Sequence, residues 1–502
     1  MKTLSSALAW WAKSQPDVTA LSVAGDAVTY AAYHDWSNRV AVWLIALGLK
    51  PGERVSICAA NSLPYCVLAM GVIRAGAIVS PLNARFTRPE AAEVLEDVAP
   101  ALIFTDGAHR GLVEGAAATI HDLAEVDALR DGAPLHARTE PDLELDPAAP
   151  VVIINTSGST ARPKGVVFSH RSMTDYASEF QMQEPSISKG ARVLAIAPLS
   201  TSAGFVQLVH YTTLGCTLYM EPAFEPKSGL ALIQREKINS FGGVPLLFER
   251  IAALPEFAEA DLSSLRLVTV GGARVTDALM KSWAAKGIVI RQIYGQTECG
   301  GFGTIMPADL ASEAPEKAGW GGPYTEIATI RPDGSRCAPG EVGEILLRGP
   351  GQMLGYWNNP QATAEVLRDG WLHTGDLGVL DERGLVTFVD RMKDIIISGG
   401  LNISAAEVER AVSGYPGVEE VVVIAAPDPK FAETPMAVLY ATDKISIQGL
   451  IAHCNACLAD YKVPRYVVVE DEPLPRLPTG KLSKLAVRAK YKDQIADLPR
   501  VR

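Results

Sequence analysis

The sequence predicts an α/β protein: a large N-terminal domain of helix-covered, mostly parallel sheets plus a β-rich subdomain, with a small α+β C-terminal domain. Three features predict it. Between about residues 150 and 300, short apolar β-branched runs alternate with helical patterns, the rhythm of parallel strands covered on both faces. Past residue 320, Gly, Pro and Asp turns separate short strands. From about residue 394 a compact helix–strand mixture runs on to residue 502. The expected domains are residues 1–392 and 393–502.

Met1 to Ala12 reads as an amphipathic first helix, since Ser5, Ser6 and Lys13 interrupt its apolar run; a secretory signal is the alternative. Strands are expected at Arg54–Cys58 and Ala77–Pro81, and residues 111–150, rich in Ala, Asp, Glu and Pro, read as a surface connection. Further strands are expected at Val151–Asn155, Arg192–Ala197, Cys216–Met220, Leu265–Val270 and Val289–Ile293, with helices at Ser169–Phe180, Ser228–Lys237 and Asp277–Lys286. The β-rich part holds Gly343–Arg348 and Leu385–Asp390. A helix then starts at Ser404, where Ser404-Ala-Ala-Glu407 has capping-box spacing and Ile403 and Val408 sit at staple positions. Strands Val418–Ala425 and Met436–Ala441, helix 446–459 and strand Arg465–Val469 complete the order.

Composition narrows the function. A chain of 502 residues, 48% hydrophobic and 21% charged, builds its core without disulfides or metals. With 46 Lys+Arg against 57 Asp+Glu, its net charge of −11 argues against a nucleic-acid partner. No window approaches the run of about 20 apolar residues that spans a membrane, and the expected location is the cytoplasm. The seven cysteines are scattered. Cys454-Asn-Ala-Cys457 has redox or metal spacing but lies in a helical pattern without a second such pair, and reads as two small residues on a helix.

The most informative segment is Asn155-Thr-Ser-Gly-Ser-Thr-Ala-Arg-Pro-Lys164-Gly165, directly after an apolar strand. Small hydroxyl residues and glycine let backbone N–H groups approach polyphosphate oxygens, and Lys164 adds a mobile positive charge. It is not a Walker loop, because Pro163 precedes the lysine and Gly165 follows it. Its bland reading is a Ser/Thr-rich turn. Tyr294-Gly-Gln-Thr-Glu298 offers an aromatic face for a purine, with a hydroxyl and a carboxylate for phosphate and magnesium. Taken alone, that pentapeptide reads better as a buried Tyr and a solvated Glu at a strand end.

With these segments stand Gly271-Gly-Ala273, Trp371-Leu-His-Thr-Gly-Asp376, Asp390-Arg391-Met-Lys393-Asp394, Ser398-Gly-Gly-Leu-Asn402 and Pro478-Thr-Gly-Lys481. In this order, and across essentially the whole chain, the set resembles the adenylate-forming superfamily of acyl-CoA synthetases, peptide-synthetase adenylation domains and luciferases, here its acid–CoA ligase branch. The resemblance implies that Thr156, Ser157, Gly158, Ser159, Thr160 and Lys164 hold ATP phosphates. Gly271, Gly272 and Ala273 pass beside adenine, Tyr294 packs on it, and Gly295 and Gln296 line the same site. Thr297 contacts the α-phosphate, and Glu298 helps hold Mg²⁺. Asp376 accepts from the ribose hydroxyls, and Arg391 meets ribose or phosphate. Lys481 is the catalytic lysine of the adenylating step, Lys393 the hinge of a mobile C-terminal domain, and Ser398, Gly399 and Gly400 border the pantetheine tunnel of coenzyme A. His373 stays structural.

Thr201, Phe205, Phe241, Gly243, Val244 and Cys299 are the acyl-pocket candidates. Many relatives carry an aromatic-His pair where Ser200 and Thr201 stand, so that gating role is in doubt here. No Arg or Lys among the candidates pairs a second carboxylate, and a monocarboxylic acid, aromatic or of medium or branched chain, is expected. The implied reaction is AMP-forming acid–CoA ligation with ATP, Mg²⁺ and coenzyme A. The alternatives are a free-standing enzyme loading a carrier-protein thiol and a catalytically silent nucleotide-binding protein. A homodimer and acetylation of Lys481 are compatible with it.

Overall fold

The computed structural model describes residues 3–131, 141, 143–156, 163–272, 275–477, 480–495 and 498–502. It separates into two compact units, residues 1–327 with 346–373 and residues 328–345 with 374–502. This division differs from the expected 392/393 boundary. Strand Trp371–Leu380 pairs with Val386–Arg391, Asp376 opposite Arg391 and Leu380 opposite Val386, which binds residues 374–391 into the second unit.

The first unit carries two large sheets. One runs Thr304–Ile305, Ile290–Tyr294, Leu267–Val270, Ser240–Gly243, Arg192–Ala195, Thr217–Met220, Thr19–Val23 and Asp26–Thr29. Its inner strands are parallel, so their C-terminal ends, where open α/β sheets bind ligands, lie along one edge. The other runs Gly355–Tyr356, Lys164–Ser169, Pro150–Thr156, Ile78–Pro81, Arg54–Cys58, Leu102–Thr105 and Thr119–Asp122.

The strands expected here appear within one or two residues of their predicted bounds. The first helix is Leu4–Ser14, capped by Thr3, whose hydroxyl accepts from Ser6 N. Residues 111–150 depart from expectation. Thr119–Asp122 is an edge strand and Leu123–Asp127 a helix capped by Asp122, so the polar composition marked an exposed edge. Beneath strands Ser240–Gly243 and Leu267–Val270 lies a core in which Phe241 stacks on Phe248 at 4.9 Å and Trp283 abuts both.

In the second unit a five-stranded sheet runs Leu401–Ser404, Ile395–Ser398, Ala432–Ala441 and Val418–Asp428, with Tyr466–Glu470 beside Ala432–Ala441. Helix Ala405–Ser413 packs its apolar face, Val408 and Val412 included, on this sheet. Ser404 caps it, accepting from Glu407 N at 3.1 Å, but the expected reciprocal half of the capping box is missing because Lys462 binds the Glu407 carboxylate. Cys454 is buried and Cys457 exposed on helix Ile447–Cys457, and all seven cysteines are free thiols.

Asp390 anchors the start of that first helix of the second sheet, Ala405–Ser413. Its carboxylate accepts from Ser404 Oγ at 2.7 Å, Ala406 N at 2.9 Å and Arg391 N at 2.7 Å, and the residue is 3% exposed. Asp390→Ala strands these buried donors and is expected to cost about 2–4 kcal/mol. Chemical denaturation of the full chain measures it, and a loss below about 0.5 kcal/mol would deny Asp390 an anchoring part.

Candidate active site

In the first unit, strands Pro150–Thr156 and Lys164–Ser169 pair antiparallel with Thr156 opposite Lys164. Thr156 Oγ1 donates to the Lys164 carbonyl at 3.3 Å, closing the base of the loop. Ser157, Gly158, Ser159 and Thr160 lie outside the described residues. The Lys164 ammonium sits 5.0 Å from the centroid of the Tyr356 ring, and the Tyr356 hydroxyl donates to Glu298 Oε1 at 2.7 Å. One side chain therefore links the loop's cation to the carboxylate of Tyr294-Gly-Gln-Thr-Glu298.

Strand Gly355–Tyr356 sets that geometry by pairing with Lys164–Ser169, Tyr356 opposite Val166, while Tyr356 N donates to Thr363 Oγ1 at 2.8 Å. Burial and the facing Glu298 push the Tyr356 phenol well above its ordinary value, so it stays protonated as a donor. Sequence motifs alone miss Tyr356. Only the fold brings it beside residues 164 and 298.

Gly271 and Gly272 follow strand Leu267–Val270, and Gly271 N donates to Gly243 O at 3.1 Å; Ala273 lies outside the described residues. Tyr294 ends strand Ile290–Tyr294 opposite Thr304 and is 8% exposed. Gly295 and Gln296 lead into the short 3₁₀ turn Thr297–Cys299, where Glu298 O accepts from Met353 N at 2.9 Å.

The acyl-pocket candidates divide. Thr201 caps helix Ser202–Leu214, its hydroxyl accepting from Gly204 N at 3.3 Å and donating to Pro198 O at 2.7 Å. Phe205 is fully buried, and Phe241 belongs to the aromatic core with Phe248 and Trp283. A Cβ on Gly243 would stand 2.4 Å from Ile196 Cδ1, and Val244 precedes helix Pro245–Ala252. The Cys299 thiol is buried, and burial pushes it up to about 11. Arg291, on the strand that ends at Tyr294, is buried against Glu184 at 2.5 Å, so its charge is already paired.

In the second unit the structure brings Asp376, Arg391 and Lys481 together. Asp376 and Arg391 face each other across paired strands, with Nε to Oδ1 at 3.6 Å, and Asp376 N donates to Thr374 Oγ1 at 3.1 Å. Burial first and the Arg391 charge second hold the Lys481 ammonium below its ordinary value, with Asp376 opposing them. The lysine leaves a tight turn in which Leu477 N donates to Lys481 O at 2.7 Å and Gly480 N to Leu477 O at 2.8 Å. Gly480 takes φ +87, a left-handed conformation that favours glycine, while Pro478 and Thr479 lie outside the described residues.

Lys393 lies in the 3₁₀ turn Met392–Asp394, where burial first and Arg391 second lower its pKa. Asp394 is bound by Arg488 at 2.7 Å. Ser398, Gly399 and Gly400 close the hairpin of Ile395–Ser398 with Leu401–Ser404, the two glycines forming its two-residue turn at φ +58 and +81.

Among the described residues no group of three or more His, Cys, Asp or Glu could hold a metal ion alone. Glu298 as a single carboxylate fits a magnesium ion that arrives on nucleotide phosphates, because Mg²⁺ takes one or two protein oxygens and completes its shell with phosphate and water. No helix among the described residues is long and apolar enough to cross a membrane.

Comparison with known proteins identifies the family. The AMP-binding enzyme family matches residues 8–357, and the AMP-binding enzyme C-terminal domain matches residues 407–481. The chain is similar to a feruloyl-CoA synthase of an Amycolatopsis species, 37% identical and covering 96% of this chain and 97% of that one. It is also similar to a fatty acid–[acyl-carrier-protein] ligase of Streptomyces coeruleorubidus, 32% identical over 98% and 97%. Among solved structures it resembles the o-succinylbenzoate CoA synthetase of Bacillus subtilis in complex with its acyl-adenylate intermediate, at TM-score 0.87 and 29% identity over 97% and 98% of the two chains. The chain belongs to the AMP-binding enzyme family, within the adenylate-forming superfamily, and is a ligase of the acyl-CoA synthetase kind.

Proposed function

We propose that the chain activates a monocarboxylic acid, aromatic or of medium or branched chain, with ATP and passes the acyl group to coenzyme A. The observation that carries this reading is the contact chain from Lys164 through Tyr356 to Glu298. It gathers a cation and a carboxylate at one place, which suits an anionic polyphosphate that carries a metal ion.

A carboxylate is a poor electrophile. Its oxygen attacks the α-phosphorus of ATP, pyrophosphate leaves, and negative charge spreads over phosphate and carboxylate oxygens. Catalysis here is positioning and electrostatics. Lys164 and the loop before it hold phosphate oxygens, Thr297 meets the α-phosphate, and Asp376 and Arg391 hold the ribose. Lys481 stabilises the charge that develops on the reacting oxygens. A magnesium ion held by Glu298 neutralises phosphate charge. The thiol then attacks the acyl carbon, the C–S bond forms and the bond to AMP breaks. Gly271, Gly272 and Tyr294 frame the adenine in this reading.

The absence of any Arg or Lys among Thr201, Phe205, Gly243, Val244 and Cys299, together with the pairing of Arg291 to Glu184, supports a single carboxylate on the acid. The feruloyl-CoA synthase relative supports an aromatic one. A panel of benzoates, cinnamates and straight or branched fatty acids, assayed for acid-dependent AMP release with coenzyme A, tests the reading. AMP release independent of acid in every case would refute it.

Tyr356 provides a sharper test. Tyr356→Phe removes the hydroxyl from Glu298 but keeps the ring beneath Lys164, and is expected to slow pyrophosphate release about tenfold or more. Tyr356→Leu also removes the ring and is expected to raise the KM for ATP further. Identical kinetics in the two variants would separate the ring from any role toward Lys164.

A further inference from the structure

The turn that carries Lys481 is built as the tip of a short hairpin. Arg476 and Leu482 bridge antiparallel, Leu477 N donates to Lys481 O at 2.7 Å, and Ser483 N donates to Pro475 O at 2.8 Å. Residues 475–477 and 481–483 thus form its stem. Leu474, just before the stem, is buried in a core with Val422 and Val487, and Leu482 packs against the same core.

The Arg476 side chain reaches across this tip. Its Nη1 donates to Gly480 O at 2.8 Å, and its Nη2 donates to Glu420 Oε1. Glu420 lies on strand Val418–Asp428, and its other oxygen accepts from Leu474 N at 2.8 Å. One carboxylate therefore ties both the entry to the stem and the guanidinium to the sheet. The Arg476 and Glu420 side chains are 33% and 16% exposed, and the guanidinium serves two partners at once, unlike an isolated surface ion pair.

The consequence falls on Lys481. The direction in which a side chain leaves the backbone follows from the two rigid peptide groups that flank its Cα. The peptide after Lys481 contains Lys481 O and is held by Leu477 N; the peptide before it contains Gly480 O and is held by the Arg476 guanidinium. Gly480, at φ +87, carries the backbone freedom of glycine, so the peptide that follows it gains most from a hold outside the backbone.

We propose that Arg476, braced by Glu420, is a positioning residue for adenylation: it fixes the direction in which the Lys481 side chain leaves its turn. The proposal rests on the ligase reading, in which Lys481 serves the first half-reaction, and extends it to a residue that acts through Lys481. Displacing a catalytic group by about 1 Å costs up to about a hundredfold in rate.

The test is a double-mutant cycle in the full chain between Lys481→Ala and Arg476→Met, which keeps an apolar stem and removes the donors. Arg476→Met is expected to lower the kcat of acid-dependent pyrophosphate exchange about ten- to a hundredfold. The KM for ATP and the rate of thioester formation from supplied acyl-adenylate should stay within about threefold of the parent, the latter showing that the variant is folded. In the Lys481→Ala background the same substitution is expected to change exchange by less than about twofold, because the group it positions is gone. Arg476→Lys restores a charged donor and should recover part of the loss, and Glu420→Gln, which weakens the brace, should lose less than Arg476→Met. An unchanged exchange rate in Arg476→Met, a full further loss on top of Lys481→Ala, or a parallel loss of thioester formation overturns the proposal. Each of these leaves adenylation by the parent intact, whereas a parent chain without acid-dependent exchange removes the ligase reading itself.

Discussion

Lys481→Ala is expected to lower acid-dependent pyrophosphate exchange at least about a hundredfold, while thioester formation from supplied acyl-adenylate changes by no more than about threefold. The asymmetry arises from where charge develops. Only the first step builds negative charge on phosphate and carboxylate oxygens together, and an ammonium group aimed at those oxygens stabilises that transition state and not the thiol's attack. The pH dependence carries the same signature. Burial and Arg391 hold the Lys481 pKa below the ordinary lysine value, and the active form is protonated. Exchange should therefore fall as pH rises through that lowered pKa, earlier than an ordinary lysine would dictate. Lys481→Arg, whose guanidinium does not titrate there, should move the alkaline limb upward at whatever rate it retains. The linkage sign separates catalysis from misfolding. A lysine with a lowered folded pKa makes its protonated form a cost to stability below that pKa, relieved as pH rises. Removing it should leave the unfolding temperature at neutral pH unchanged or higher, and equal loss of both half-reactions would refute the assigned role.

The sequence was legible where a single segment carries its own geometry. Apolar β-branched runs became strands at Arg54–Cys58 and Pro150–Thr156, and Ser404 became a helix cap because one hydroxyl three residues before a backbone N–H suffices. It was illegible where function depends on residues distant in the chain. Tyr356 is remote in sequence from both Lys164 and Glu298, and strand pairing alone brings it to them. The stacking of Phe241 on Phe248 and its contact with Trp283 join residues of separate elements and are likewise absent from any single segment.

Lys393→Pro is expected to leave pyrophosphate exchange within about threefold of the parent and to slow thioester formation from supplied acyl-adenylate about a hundredfold. A hinge residue absorbs the backbone rotation that exchanges one catalytic arrangement for another, and a pyrrolidine ring fixes φ near −65° and removes that freedom. The residues around Lys393 make the prediction demanding. Arg488 holds Asp394 at 2.7 Å, while Asp390 grips Ser404 Oγ and Ala406 N from the other side of the turn. A rotation at residue 393 that carries residues 404–406 with it has to release Asp390 from both partners. Asp390→Asn, which keeps the shape but weakens the charge-assisted bonds, should then speed the thioester step relative to adenylation, opposite to Lys393→Pro. If both variants slow the two half-reactions in parallel, residues 374–392 move with the C-terminal segment as the compact unit to which they belong, and the hinge lies earlier in the chain than Lys393.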